Sequence, residues 1–374
     1  MSDTPLPRVL ARAAFRRSVE DFRVTEIPSY LPTGQGEHLY VKVTKSGRNT
    51  HDVVRALTRA LACKEMDIGV AGQKDKWAIT EQLMSLPAKF EAQLRTILEK
   101  REEHDPFEGV TFEILGRHGN KLRMGHLVGN RFLIVLRDLR SAHTGEKLTE
   151  AGAEEITKAV ERTRIEGFPN FYGEQRFGNN GGNTERAIAF LSGNVRERLP
   201  VQKIKFLVSS LQSHVFNRIL ERRIHDGTWI SALDGDVLQK ADSGGLFVST
   251  DAVADQERCL RGELSPTAPM FGPEAKESTG EAKALEDAVL REVLGDPFPF
   301  AEAAKWASGT RRALRIFATE LQFRWISENS NHFDGISFDF VLPKGAYATT
   351  FLGNFFDLAQ PSGSHLPALD AVTV

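Results

Sequence analysis

The chain is poor in cysteine: Cys63 and Cys259 are the only two in 374 residues, and neither has a second ligand at metal spacing. That argues against both a disulfide framework and a zinc site. Cys63 reads as core filling on an apolar helix face, and Cys259 as incidental. No apolar run approaches the roughly 20 residues of a membrane span; Phe206-Leu207-Val208 and Phe338-Asp339-Phe340-Val341 are soon broken by polar groups. The start, Met1-Ser2-Asp3-Thr4-Pro5, has no basic region leading into an apolar core. No secretory signal is visible, and a cytoplasmic protein is the expectation. Phosphate-cradling loops are missing as well, because the glycines of Gly178-Asn179-Asn180-Gly181-Gly182-Asn183 lack dinucleotide spacing. A cofactor-free activity is favoured, with no metal.

Charge of one sign is also absent. Lys and Arg number 48 against 50 Asp and Glu, a net charge of -2. Affinity for nucleic acid comes chiefly from neutralising phosphates, so a bulk polycation is excluded and only an uneven distribution would serve. The distribution is uneven. Arg8, Arg12, Arg16, Arg17 and Arg23 gather near the start, and a second basic stretch runs Arg117, His118, Lys121, Arg123, His126, Arg131 and Arg137. Acidic residues collect at Glu102 to Asp105 and from Glu274 to Asp287. A basic face on a near-neutral body suits a protein that handles structured RNA, while each cluster alone also fits a solvated surface. With 41% hydrophobic and 26% charged residues the chain is an ordinary globular one. It exceeds the roughly 100–200 residues of one domain, so two domains or a large insertion are expected.

The most informative stretch present is Ala71-Gly72-Gln73-Lys74-Asp75-Lys76-Trp77-Ala78-Ile79-Thr80. A carboxylate, cations and an aromatic follow an apolar segment, the layout of a catalytic loop; a solvated turn is the plainer reading. Met66 to Val70 reads as a short buried strand, with Gly72 easing the exit.

Elsewhere Leu39, Val41 and Val43 alternate with polar neighbours, as in a half-buried strand. Asn49 and Thr50 offer N-caps for a helix with Val53, Leu57 and Leu61 on its apolar face. Further strands are expected at Val110 to Leu115, Lys121 to Met124, Arg131 to Leu136 and Ser337 to Leu342. Helices are expected at Glu154 to Ile165, Thr184 to Leu191 and Lys203 to Arg223. The segment from Gly262 to Glu281, rich in Pro, Gly, Ser and Glu, reads as a long loop. Strands at both ends around a helical middle suggest a sheet domain interrupted by an inserted module.

These residues carry a resemblance. The run Glu20-Asp21-Phe22-Arg23-Val24-Thr25-Glu26, then Lys45-Ser46-Gly47-Arg48-Asn49-Thr50, then Ala71 to Thr80 with Glu81-Gln82, is similar in order and spacing to TruD-type tRNA pseudouridine synthases. Gly129-Asn130-Arg131-Phe132, Pro169 to Gly178, Phe216-Asn217 and Leu342 to Thr350 continue the series. The likeness covers nearly the whole chain.

The resemblance implies an α+β fold: a pseudouridine synthase-type mixed sheet catalytic domain, residues 1–167 and 312–374, with a large inserted α/β TRUD module at 168–311. Residues 362–374 read as a flexible tail. It implies Asp75 as the one catalytic residue, either attacking C1′ of the target uridine or taking a C2′ proton. Phe132 would hold the flipped base, although core packing of its own strand remains an open reading. Asn130 would meet the uracil edge or orient Asp75, and Phe22 would form a second wall. Arg16 stands where relatives usually carry a lysine, a cation beside Asp75. Lys74 would act likewise or bind phosphate. Tyr172 and Arg176 would reach RNA from the aromatic loop, or else pack a domain junction.

The chain departs from the family pattern where Phe171 precedes Tyr172 and where Gly353 replaces a basic residue. The implied partner is tRNA, with tRNA-Glu and uridine 13 of its D-arm as target, for a monomer with no obligatory protein partner. The alternative is a non-catalytic RNA-binding or tRNA-folding protein of the same fold. A hydrolase pairing Asp75 with Glu81 lacks a recurring paired-acid spacing.

Overall fold

The computed structural model describes residues 9–100, 105–178, 181–194, 199–327 and 332–359. The tail expected over 362–374 lies outside the described residues, as do Arg8, Glu102 and Glu103. From its start the chain forms β1 (Ala11–Phe15), β2 (Phe22–Pro28), β3 (His38–Lys45), α1 (Thr50–Leu61), β4 (Gly69–Val70) and β5 (Ile79–Pro87). Then come α2 (Glu91–Glu99), β6 (Val110–His118), the long β7 (Leu127–Ser141) and α3 (Glu150–Glu166). The middle holds β8 (Phe168–Pro169), α4 (Gly182–Leu191), α5 (Val201–His225), β9 (Val237–Lys240), β10 (Leu246–Val248), α6 (Ala252–Leu260) and β11 (Leu264–Met270). It continues through α7 (Gly280–Leu294), α8 (Phe300–Ala303), β12 (Thr310–Ala313) and β13 (Arg315–Ile316). The last stretch carries β14 (Thr319–Ile326), β15 (Gly335–Pro343), α9 (Ala348–Leu352) and β16 (Phe356–Ala359).

Two compact units result. The sheet unit joins Leu10–Glu154 and Thr319–Ala346 with the segment from Phe356, and the second unit joins Glu155–Ala318 with Tyr347–Phe355. The division falls inside α3 and after β13, whereas the change of texture places it near 168 and 311. Sequence texture does not tell which unit a bordering helix packs on. Here β8 pairs with β13, and Phe168 meets Phe351 of α9 edge-on at 5.2 Å. Both contacts bind border segments to the second unit.

The sheet unit is built on a ten-stranded mixed sheet of order β14-β15-β7-β2-β5-β3-β6, with β1 lying between β7 and β16 and β4 on β5. β2 and β5 run parallel, with Arg23 opposite Ile79 and Thr25 opposite Glu81. Their neighbours run antiparallel. β3 is less exposed than its alternation suggests, since Tyr40 and Lys45 are buried along with Leu39, Val41 and Val43. α1 begins as expected: the Asn49 side chain accepts from the Asp52 amide at 2.8 Å, a cap contributing ~1 kcal/mol. Its face of Val53, Leu57 and Leu61 packs on β3 residues and Met84.

The second unit centres on α5, whose Ile204, Leu207, Val208, Leu211, Val215, Phe216, Ile219 and Leu220 are all buried, as the helical stripe predicts. Each such side chain contributes ~1.5–3 kcal/mol by leaving water. A four-stranded sheet of order β10-β9-β11-β12 completes it.

Four expectations are corrected. The segment read as a loop from Gly262 holds β11, buried at every position; two prolines and a lack of alternation concealed a strand covered on both faces. Met66 to Val70 is a helical turn followed by a two-residue strand, and Met66 is 74% exposed. Lys121 to Met124 forms no strand, although Leu122 is buried. Cys259 is not incidental, because it fills a small core with Leu238 and Leu264, and burial pushes its thiol up to about 11.

Candidate active site

Asp75 lies in the loop between β4 and β5. Its carboxylate is 7% exposed and pairs with the Arg16 guanidinium at 2.7 Å, while its Oδ1 accepts from the Trp77 amide at 3.3 Å. Arg16 occupies the turn from β1 towards β2 with φ of 57°, a left-handed conformation that costs a non-glycine residue on the order of 1 kcal/mol. The strain aims the side chain. Its guanidinium carbon stands 4.2 Å from the Phe22 ring centre and 5.1 Å from that of Phe15. A planar cation on an aromatic face is held there by the ring quadrupole.

Phe22 in turn lies 6.3 Å from Phe132, which stacks on Phe340 at 5.5 Å. Phe132 is 7% exposed. One side of its ring is therefore occupied by Phe340, so core packing and a place beside Phe22 hold together.

Lys74 differs from a phosphate-facing lysine. Its buried ammonium pairs with Glu26 at 2.9 Å and donates to Asn130 Oδ1 at 2.7 Å. The cation beside Asp75 is thus Arg16, and Lys74 belongs to a second ion pair under the loop. Glu26 also accepts from the Leu83 amide at 3.2 Å, which ties this pair to β5. Asn130 joins the cluster because Asn130 of β7 lies opposite Glu26 of β2.

The loop backbone is fastened from below. Thr50 Oγ1 accepts from the Lys74 amide at 2.8 Å and donates to Gln82 at 2.7 Å. Gln82 donates to the Gly72 carbonyl at 3.2 Å. Lys45 donates to the carbonyls of Arg48 at 2.6 Å, Lys74 at 3.2 Å and Asp75 at 2.6 Å. Burial lowers its ammonium to about 7, opposed by the charge of Asp75. Glu26, Lys45, Thr50 and Gln82 were not assigned roles from the sequence. Their signal was there, since all four lie in the motif segments that carry the resemblance. Glu81, by contrast, turns away from the loop and pairs with Lys42 at 4.0 Å.

Tyr172 and Arg176 belong to the second unit. The Asn217 side chain accepts from the Tyr172 amide and donates to the Tyr172 carbonyl, both at 2.9 Å. Arg176 donates to Ser213 at 2.7 Å and Ser209 at 2.6 Å. The aromatic loop is thereby locked onto α5.

Besides Arg16, four members of the basic stretches lie in ion pairs: Arg12 with Asp357, Arg117 with Glu91, Arg131 with Asp339 and Arg137 with Asp21. A cleft of about 750 Å³ in the sheet unit is lined by Arg12, Arg17, Arg137, Arg140 and Lys147 together with Asp138 and Asp334. None of the Asp75 group lines it.

A mixed sheet that carries Asp75 against the Arg16 guanidinium, interrupted by a second unit, is the layout of an α+β protein of the pseudouridine synthase type. The solved structure of a tRNA pseudouridine synthase D candidate from Methanosarcina mazei superposes with a TM-score of 0.71 at 24% identity, covering 92% of this chain and 93% of that one. The sequence profile of the family tRNA pseudouridine synthase D (TruD) matches residues 11–198 and 192–355. A tRNA pseudouridine synthase D from Anaeromyxobacter sp. (strain Fw109-5) is 39% identical over 99% of both chains. One from Thermus thermophilus is 38% identical over 89% of this chain and 85% of its own. The chain belongs to the TruD family of tRNA pseudouridine synthases.

Proposed function

We propose that the protein isomerises uridine 13 in the D-arm of tRNA-Glu to pseudouridine, with Asp75 as its one catalytic residue. The observation that carries this reading is the Asp75 carboxylate, buried and held at 2.7 Å by Arg16 within a loop fastened to the sheet. The reaction breaks the N1–C1′ bond, turns the uracil, and forms C5–C1′; the proton leaving C5 is balanced by one gained at N1. Nothing is oxidised or hydrolysed, so one well-placed carboxylate suffices to attack C1′ or take the C2′ proton. Arg16 fixes the carboxylate's orientation. Phe22 and Phe132 supply the aromatic surface a flipped base needs, and Asn130 presents an amide beside it. Tyr172 and Arg176 contact the RNA from the second unit. The enzyme acts as a monomer on tRNA, in the cytoplasm, without a cofactor.

Carbodiimide-adduct primer extension on an unmodified tRNA-Glu transcript tests the reading, comparing the intact protein with Asp75→Asn and running total RNA in parallel. A stop next to uridine 13 with the intact protein, and at least a ~10²–10⁴-fold slower appearance with Asp75→Asn, is the expected result. Equal stops with both proteins would remove Asp75 from the chemistry. Bound tRNA with no stop in either RNA pool would favour a non-catalytic RNA-binding protein.

A further inference from the structure

The site contains a buried cation that the reading above does not use. Lys45, the last residue of β3, is 1% exposed. Lysine is costly to bury, and when buried it normally faces a carboxylate. Its hydrogen bonds go to backbone carbonyls instead: Arg48 at 2.6 Å, Lys74 at 3.2 Å and Asp75 at 2.6 Å. The groups facing it are Asp75 and Asp52, which favour its charge, and Lys74, which opposes it.

We propose that Lys45 is a positioning residue for Asp75, its three N–H donors matched to three carbonyls that fix the path of the catalytic loop from below. This rests on Asp75 being the catalytic residue. Several points carry it. An ammonium has three donors and no acceptor, and three carbonyls receive them. One of those carbonyls belongs to Asp75 itself and another to its neighbour, so the Cα of Asp75 cannot shift without breaking one of these bonds. The third, on Arg48, anchors the assembly to the turn that leads into α1. Bonds from a charged donor are roughly twice as strong as neutral ones, and stronger still away from water. Thr50 and Gln82 hold Gly72 and Lys74 but do not bond to Asp75. Lys45 therefore fixes the residue whose misplacement matters most; a shift of ~1 Å at a reacting group costs about 10²-fold in rate.

The test compares the intact protein with Lys45→Met, which keeps the length of the stem and removes all three donors, and with Lys45→Gln, which keeps two donors on a shorter stem. Single-turnover rate at saturating tRNA, tRNA Kd, and amide exchange of residues 73–77 are measured on folded protein at about pH 6, where the Lys45 amine is charged and keeps all three donors. For Lys45→Met the expected result is a rate ~10²-fold lower, a Kd within threefold, and loop amides exchanging at least tenfold faster while β3 and β5 keep their protection. Lys45→Gln should fall between the two and decides the matter where Lys45→Met does not fold. A rate within threefold and unchanged loop exchange would overturn the proposal, as would a rate and Kd that weaken together. If the intact protein itself forms no pseudouridine, the proposed function fails. Loop exchange alone then decides whether Lys45 positions the loop.

Discussion

At the residue scale the site holds two buried ion pairs, Arg16 with Asp75 and Lys74 with Glu26. Arg16 and Asp75 each keep 7% of the side chain exposed, whereas Lys74 and Glu26 are more enclosed, with the Glu26 side chain fully buried. Removing one member of a buried pair leaves an uncompensated charge, at a cost of about 3–5 kcal/mol, while replacing both is far milder. Glu26→Gln and Lys74→Met should each lower the unfolding free energy by that amount, and the double variant should recover at least half, as read from urea titrations. Additive losses would mean that the pair is not coupled. Lys45 gives a pH dependence. Burial brings its ammonium to about 7 in the folded protein, against roughly 10.4 when unfolded. Between those values the unfolded chain holds the extra proton, so this group's contribution to stability rises with pH. The stability of the intact protein minus that of Lys45→Met should climb between pH 7.5 and 9.5, by up to about 1.4 kcal/mol per unit. A flat difference would show that the three carbonyls keep the proton in place against burial.

At the element scale the Asp75 loop depends on a strand of two residues. Gly69 of β4 has no room for a side chain: an added Cβ would fall 2.3 Å from the Leu122 carbonyl oxygen and 2.4 Å from Ser85 Oγ. Ser85 also accepts from the Leu122 amide at 2.9 Å, so neither neighbour can retreat without losing a bond. Gly69→Ala should cost ~2–3 kcal/mol, the range of an overpacked core, and should reduce activity beyond the loss of folded protein. Thermal melts with single-turnover rates check this, and an unchanged melting temperature would sink it. This element shows what the sequence made legible. The loop, its aspartate and the helix cap at Asn49 were readable because motif spacing and capping are local. α5 was readable because its stripe repeats at helical period. β11 was not, since a strand covered on both faces shows no alternation and its Pro266 and Pro269 imitate a loop. Lys74 was misjudged for a related reason: nothing local says that a lysine in a loop turns inward to meet Glu26, a residue far away in sequence on β2. Glu26, Lys45, Thr50 and Gln82 become a group only when β2, β3, α1 and β5 meet.

At the scale of the whole molecule the question is how a chain of net charge -2 holds a polyanion. The basic clusters seen in the sequence are partly neutralised, since Arg12, Arg117, Arg131 and Arg137 each sit beside a carboxylate. A paired arginine gives little to phosphate binding, because its carboxylate must be left behind or brought along. The cations that count are then fewer, and in the cleft of this unit Arg140 and Lys147 are paired too, with Asp138 at 3.1 Å and Asp334 at 3.2 Å, which leaves Arg17 as its lining cation outside any ion pair among the described residues. Each phosphate contact contributes about -0.7 to -0.9 to the slope of log K against log salt. Arg17→Gln should therefore weaken tRNA binding and make that slope shallower by about one, while Arg131→Gln, which only frees Asp339 and Glu320, should leave it unchanged. Filter binding of tRNA over a salt titration distinguishes the two. If both substitutions flatten the slope equally, the ion-paired arginines are recruited on binding, and the surface rearranges around the RNA instead of presenting a ready-made track.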